Sequence, residues 1–292
     1  MDIAGSRMRI DYQVELHYDV AGASDFILLI HPARTTQQQV LSESLTIEPA
    51  VAHVLDTDPV TGNRLLKLQA DAGPLDIALR ALVEVRHHVG QPEQIGAVAP
   101  AELPASTLRY LVASRYCQTD QVQQRAWDLF GHHPRGYAQV QAVADWVRDN
   151  VDFRIGTSNP GTSAVDTLQA GCGVCRDFAH LTIALCRALN YPARFTTGVD
   201  YGADPALGPP DFHAYAEVYL DRWYVFDATG ISPKTGLIRI ATGRDAADVS
   251  FATIFGPVQT GMPTLTFSAV EDPSAGVTLP RPTSLAVSTA LV

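Results

Sequence analysis

A cysteine at the start of a predicted helix is the best-placed nucleophile in this sequence. Gly171 and Gly173 predict a loop, and the apolar residues after them recur every three or four positions, as on the buried face of a helix. This apolar stripe consists of Val174, Phe178, Leu181, Leu185 and Leu189. Cys175 then falls in the first helical turn, where free backbone N–H groups and the helix dipole stabilise a thiolate. The pattern predicts a reactive thiol that needs a base.

Two consecutive strand patterns supply a histidine and an aspartate that could serve this thiol. His213 stands near the start of one predicted strand, and Asp227 stands near the end of the next. In adjacent antiparallel strands, the start of the first lies beside the end of the second. An odd-membered turn centred on Leu220 would put His213 opposite Asp227 on one face, whereas a two-residue turn would separate them. We predict the odd turn or an equivalent bulge.

A set of cysteine, histidine and aspartate predicts nucleophilic acyl transfer. Cys175 would attack a carbonyl carbon as a thiolate. His213 would take the thiol proton and later return it to the leaving amine. Asp227 would fix the tautomer of the imidazole and stabilise the imidazolium. These three residues are the predicted catalytic group.

Two further features of an acyl-transfer site have candidate residues. The backbone N–H of Cys175 would donate to the oxyanion, because the helix N-terminus directs it there. Gln169, six residues upstream, is a candidate for the second donor, although an ordinary loop glutamine explains it equally well. Tyr215 and Trp223 are candidates for the wall of a substrate cleft, with core packing as the alternative.

The elements that must position these residues predict an α+β chain of two domains. Residues 1–95 form a predicted antiparallel β domain, because short strand patterns there are separated by turn signals. The composition then shifts to Gly, Pro, Ala and Gln without a strong period, and residues 96–104 are interpreted as a linker. Residues 105–270 combine helical patterns with later strands and form the predicted core. Residues 271–292 are a predicted tail that frays.

Length, charge and cysteine content limit the class of protein. With 292 residues, 46% of them hydrophobic, the chain can bury an adequate core in each domain. A formal net charge of −10 argues against nucleic acid or an anionic membrane as the main partner. No apolar run approaches the ~20 residues of a spanning helix, and no secretory signal pattern is evident. Four cysteines are too few for a disulfide scaffold, so we expect a cytoplasmic protein with reduced thiols.

Three blocks of the sequence resemble a known family. They are Gly-Val-Cys-Arg-Asp-Phe-Ala-His-Leu at 173–181, His-Ala-Tyr-Ala-Glu-Val-Tyr at 213–219, and Phe-Asp at 226–227. In this order they resemble the bacterial transglutaminase-like superfamily of papain-like cysteine enzymes. The start Met-Arg-Ile-Asp-Tyr at 8–12 resembles the β-rich N-terminal domain often attached to these proteins.

The resemblance implies a fold and an activity. The fold would be a papain-like core, in which a helix bundle packs on an antiparallel sheet, preceded by the β domain. Carried onto this sequence, the nucleophile is Cys175, the base is His213 and the third member is Asp227. The substrate would be a peptide or protein. With water as acceptor the enzyme is a peptidase or amidase, and with an amine it is a transglutaminase or ligase; the sequence does not choose, because cleft depth and water exclusion decide.

Other interpretations of the cysteines and of the fold stay open. Cys172 and Cys175 have the spacing of a redox pair or half a zinc site, but no second cysteine pair follows. His180 lies about 500° around the helix from Cys175, so it diverges from that site. We therefore expect no metal and no organic cofactor. Oxidation could join Cys172 to Cys175 and block the enzyme, and a papain-like fold can also serve as a catalytically silent binding module.

Overall fold

The structure, a computed structural model, describes residues 7–204, 206 and 209–290. The α-helices in these residues are α1 (Thr119–Phe130), α2 (Tyr137–Asn150), α3 (Ala164–Ala170) and α4 (Cys175–Ala188). The strands up to α1 are β1 (Met8–Val20), β2 (Ser24–Leu28), β3 (Gln38–Glu48), β4 (His53–Thr57), β5 (Arg64–Ala70), β6 (Gly73–Val85) and β7 (His88–Gly90). The later strands are β8 (Asp152–Phe153), β9 (Cys172–Gly173), β10 (Ala193–Asp200), β11 (Phe212–Tyr219), β12 (Trp223–Phe226), β13 (Leu237–Gly243), β14 (Ala252–Phe255), β15 (Val258–Thr260), β16 (Thr264–Val270) and β17 (Ala286–Ala290).

Two antiparallel sheets form the predicted N-terminal β region. β1 buries every second residue along its whole length, as the alternating sequence pattern requires, and it pairs with β6 throughout. β6 also pairs with β3, while β2, β5 and β4 form the second sheet. Three late strands complete these sheets, because β15 and β16 pair with β1 and β14 pairs with β2.

Strand pairing runs across the predicted domain boundaries. Residues 252–270, assigned to the core, add strands to the N-terminal sheets. β7, assigned to the N-terminal domain, and β17, assigned to a fraying tail, instead pair with each other in the core sheet. The local period of a sequence shows that a strand exists but not which distant edge it pairs with, and an open sheet edge favours such a partner.

The core is a six-stranded sheet covered by helices, in the order β13-β10-β11-β12-β17-β7. α4 packs against β10, β11 and the other three helices. Every residue of α4 from Asp177 to Ala188 is buried, so the predicted apolar stripe belongs to a helix enclosed on all sides. In the described part of the chain, no helix has both the length and the apolar character that crossing a bilayer requires. The α+β class predicted from the sequence is confirmed.

Two buried amide side chains fasten the N-terminal region to the edge of the core sheet. The side chain of Gln38 binds both the N–H and the C=O of Arg239 on β13, at 2.9 and 2.7 Å. Asn63 makes the same pair of hydrogen bonds with Thr242, both at 2.9 Å. At Arg239 and Thr242, the backbone N–H and C=O groups of β13 point away from β10. Without the two amide side chains, these groups would form an open sheet edge. The N-terminal region therefore holds in place the sheet that carries the candidate site.

Candidate active site

Cys175 is the first residue of α4, and a buried aspartate holds this end of the helix. The carboxylate of Asp177 accepts a hydrogen bond from the backbone N–H of Val174 at 3.0 Å and another from the Ser158 hydroxyl at 3.0 Å. Gly173 lets this carboxylate approach, because a Cβ there would lie 2.7 Å from the Cβ of Asp177. The N–H of Cys175 has no acceptor within the helix and can bind an anion at its N-terminus.

His213 and Asp227 meet across the hairpin of β11 and β12. The strands pair Tyr219 with Trp223 and Ala216 with Phe226, so the turn has three residues and is centred on Asp221. The odd turn predicted from the sequence is confirmed, but its centre lies one residue beyond Leu220. Continuing this register puts Asp227 opposite Tyr215, two residues from His213 on the same face. His213 and Asp227 are therefore diagonal neighbours, and His213 Nε2 donates a 2.9 Å hydrogen bond to Asp227 Oδ2.

The imidazole of His213 is buried, and its neighbours favour its charged form. Burial alone would lower the pKa of His213, but the charge and hydrogen bond of Asp227 and the contact with the Cys175 thiol raise it well above its ordinary value. Burial opposes the charge of Asp227 too, yet His213 and the hydrogen bonds from Thr229 lower the pKa of this carboxyl. Because Nε2 faces Asp227, Nδ1 is the nitrogen available to Cys175. The buried imidazolium and carboxylate thus stabilise each other beside the thiol.

The second oxygen of Asp227 is also held by the protein. Oδ1 accepts hydrogen bonds from the backbone N–H of Thr229 at 3.0 Å and from its hydroxyl at 2.7 Å. With both oxygens bound, the carboxylate has little freedom to turn away from His213. The loop after β12 therefore fixes the orientation of the imidazole as well as its charge.

Cys175 and His213 line a cavity of about 550 Å³, called the cleft below. One wall is aromatic, because the rings of Phe212 and Phe251 stack at 4.8 Å and 18° and Phe195 lies near them. The lining also includes Arg176, whose guanidinium binds the Ser158 hydroxyl and the Asn159 carbonyl at 2.6 Å each. The cleft can hold a group the size of a large side chain next to the thiol, in mainly apolar surroundings.

The other predicted site residues lie away from the cleft wall. Gln169 is exposed on α3 and is not among the residues that line the cleft. Tyr215 and Trp223 are each 1% exposed and do not line the cleft either. Both side chains pack in the core. Trp223 is covered by the Arg194 guanidinium at 4.0 Å. Both side chains lie on the sheet face that carries His213, but they lie farther along the hairpin.

Cys117, Cys186 and His180 are buried structural residues. Cys117 and Cys186 are fully buried, and burial raises the pKa of Cys117 to about 12 and that of Cys186 further. His180 is buried between the rings of Tyr116 and Phe195, and its Nε2 accepts the Ala246 N–H at 3.1 Å. Cys172 is a free, partly exposed thiol on β9. His180 thus holds the loop that forms part of the cleft.

Two features of the site were missed from the sequence. Asp200, at the end of β10, brings its Oδ2 to 3.9 Å from Nδ1 of His213. Phe251 precedes β14 and completes the aromatic wall of the cleft. No local motif marks either residue, since each reaches the site through strand pairing. The sequence signal is only that Asp200 ends its strand with a carboxylate, directly after Val199.

Known proteins share this arrangement of domains. Residues 123–228 match the transglutaminase-like superfamily, and residues 8–106 match the bacterial transglutaminase N-terminal domain. The structure is similar to that of a proposed cysteine protease from Cytophaga hutchinsonii, with a TM-score of 0.89 and 35% sequence identity over 97% of each chain.

Mycobacterial proteins of uncharacterized function are also similar to this chain. An alignment with one from Mycobacterium leprae has 32% identity over 124 residues, and it covers 41% of this chain and 44% of that protein. A Mycobacterium tuberculosis protein has 26% identity over 267 residues, covering 83% of this chain and 85% of that protein. Since the solved relative matches over nearly its full length with more than a third of its residues identical, this chain belongs to the transglutaminase-like superfamily.

Proposed function

We propose that this protein breaks amide bonds through a thioester on Cys175, with water as the final acceptor, as a peptidase or amidase. The observation that carries the proposal is the environment of His213, which lines the cleft with Cys175, interacts with its thiol and binds Asp227 through Nε2. This order of thiol, imidazole and carboxylate is what an activated nucleophile requires. The similar protein from Cytophaga hutchinsonii, described as a proposed cysteine protease, favours hydrolysis.

The residues of the site have complementary tasks in the proposed reaction. His213 holds the thiol proton, and the Cys175 thiolate attacks the carbonyl carbon to form a C–S bond. The N–H of Cys175 donates to the resulting oxyanion. The C–N bond then breaks, and the amine leaves with the proton from His213. A thioester remains on Cys175.

Hydrolysis of the thioester reverses the proton transfers. His213 takes a proton from water, and the hydroxide formed attacks the thioester carbon. The C–S bond breaks, the carboxylic acid leaves, and Cys175 recovers its proton from His213. Asp227 stays ionised throughout and stabilises the imidazolium in both steps.

Thiol reactivity tests the nucleophile without knowledge of the substrate. The native protein is treated with substoichiometric iodoacetamide and its peptides are analysed by mass spectrometry. Cys175 and Cys172 are both partly exposed, so Cys172 is the matched internal control. We expect Cys175 to react at least about tenfold faster, because the thiolate is the reactive form. His213→Ala should remove this advantage. Equal reactivity of the two thiols would contradict the proposal.

Product analysis tests the acceptor. A library of peptides is incubated with the wild type and with Cys175→Ser, and new chain ends are identified by mass spectrometry. Cleavage that depends on Cys175 supports hydrolysis. Incorporation of an added fluorescent primary amine without cleavage would show a transglutaminase or ligase instead. Absence of both, with an unreactive Cys175, would identify a binding module.

A further inference from the structure

His213 lies between two aspartates supplied by the strands on either side of its own. β11 pairs with β10 so that Gly198 is opposite His213, and Asp200 lies two residues farther along β10 on the same face. Asp227 occupies the equivalent diagonal position next to β12. The Asp200 carboxylate is 3.9 Å from Nδ1 of His213, and the Asp227 carboxylate is 2.9 Å from Nε2. Each nitrogen of the imidazole therefore has its own carboxylate.

The surroundings of Asp200 give its charge few other partners. The residue is 7% exposed, and its Oδ2, the atom nearest His213, has no hydrogen-bond partner among residues 7–204, 206 and 209–290. An unpaired buried carboxylate is costly unless an opposite charge compensates it. Burial raises the pKa of Asp200 above its ordinary value and the charge of Asp227 adds to this increase, whereas the charge of His213 and a hydrogen bond with Ser232 oppose it. His213 is thus the charge that favours ionised Asp200.

Gly198 leaves room for this arrangement. A Cβ at Gly198 would lie 2.3 Å from the carbonyl oxygen of Ile238 and 3.4 Å from the Tyr215 ring. No side chain therefore projects from β10 directly opposite His213, and the carboxylate of Asp200 reaches the imidazole on the diagonal. The backbone of β10 thus leaves the space beside His213 open to the Asp200 side chain.

We propose that Asp200 is a positioning residue that keeps His213 in its imidazolium form from the side of Nδ1, the nitrogen that serves Cys175. Its effect on turnover rests on the proposed function, but its effect on His213 does not. The Asp200 carboxylate lies 3.9 Å from Nδ1 and acts on it through its charge. No bond of Asp200 forms or breaks.

Other charged and titratable groups near His213 set the background for this effect. Asp227 follows β12, Cys175 begins α4, and Asp211 precedes β11 and interacts with His213 electrostatically. The Tyr215 ring stacks on the imidazole at 6.3 Å. Among these groups, Asp200 is the one whose carboxylate lies 3.9 Å from Nδ1 of His213. Removing its charge should therefore make the imidazolium lose its proton at a lower pH.

Titration of His213 by NMR tests the proposal directly. The protein is labelled with ¹³C-histidine, the His213 signal is assigned with His213→Gln, and its shift is followed with pH. In Asp200→Asn we expect the pKa of His213 to fall by about 1 unit or more, because an opposite charge within ~4–6 Å shifts a pKa by 1–3 units. Asp227→Asn should lower it further, since that carboxylate is closer. Asp200→Glu keeps the charge but moves the carboxylate, so the pKa of His213 should fall less than in Asp200→Asn.

A matched control variant shows whether the effect on His213 is specific to Asp200. Asp221→Asn removes an exposed carboxylate from the turn of the same hairpin and should leave the titration of His213 unchanged. If Asp200→Asn moves the titration no more than this control, the proposal is wrong. If the shift is present but no acyl transfer is found, the proposed function fails while the role of Asp200 stands. Should Asp200→Asn not fold, Asp200→Glu is compared with the wild type, and an unchanged His213 signal on moving the carboxylate overturns the proposal.

Discussion

Replacing the aspartate that caps α4 should cost far more stability than replacing a similar cap elsewhere. In Asp177→Ala the N–H of Val174 loses its acceptor, a cap worth about 1 kcal/mol. The Ser158 hydroxyl loses a buried charged acceptor, worth about 1.5–3 kcal/mol. The free energy of unfolding should therefore fall by about 3 kcal/mol, and the melting temperature should fall by roughly 6–12 °C. The same change releases the turn that holds Cys175.

A second capping aspartate provides the control for this prediction. On α3, Asp166 accepts from the N–H of Ser163 at 3.0 Å and from its hydroxyl at 2.6 Å, but this carboxylate is exposed. Asp166→Ala should cost only about 1 kcal/mol, because water replaces the lost contacts. Urea unfolding gives both free energies, and iodoacetamide labelling reports the thiol. Equal losses in the two variants, or normal selectivity for Cys175 in Asp177→Ala, would refute the reasoning.

Three further changes test the site. Asp227→Asn should slow acylation of Cys175 by about 10²–10⁴-fold, the usual worth of an oriented acid-base group, as measured by labelling with an electrophilic peptide; a loss below threefold would contradict the assigned role. Phe251→Ala should reduce the preference for apolar over charged acyl groups in such probes about tenfold, because the ring pair with Phe212 is broken; an unchanged preference would place the substrate elsewhere. The raised pKa of His213 means that its charge contributes stability fully below its unfolded pKa and loses it as pH rises through the folded pKa. The advantage of the wild type over His213→Gln in urea should therefore be larger at about pH 6 than at about pH 10, and a constant difference would argue against a buried imidazolium.

Local patterns predicted the elements that carry the chemistry. The stripe after Gly173 predicted α4, and the alternation around His213 and Asp227 predicted the parity of their turn. Parity is enough to put two side chains on one face, because the period of a strand is two residues. Because the turn is centred one residue later than predicted, Asp227 lies opposite Tyr215 and not opposite His213. The side chains of His213 and Asp227 are long enough to meet on the diagonal.

Long-range pairing explains what could not be predicted. Asp200 and Phe251 reach the site through the pairing of β10 with β11 and of β14 with β2. Such pairings depend on which edges meet in space, which the local period does not encode. Tyr215 and Trp223 have the correct parity to face the site, but their positions farther along the hairpin place them under Arg194 and other core residues. Parity alone therefore selects a face and not a location on it.

The aromatic wall of the cleft has a consequence for how this protein could diversify. Phe251 lies directly before β14, and its carbonyl accepts the Leu29 N–H at 2.9 Å, next to β2 of the N-terminal sheet. A substitution beneath that sheet can tilt the ring without touching any catalytic group. Under the proposed function, substrate choice and chemistry would be encoded in different parts of the chain, so selection could change the preferred substrate while Cys175 and His213 stay in place.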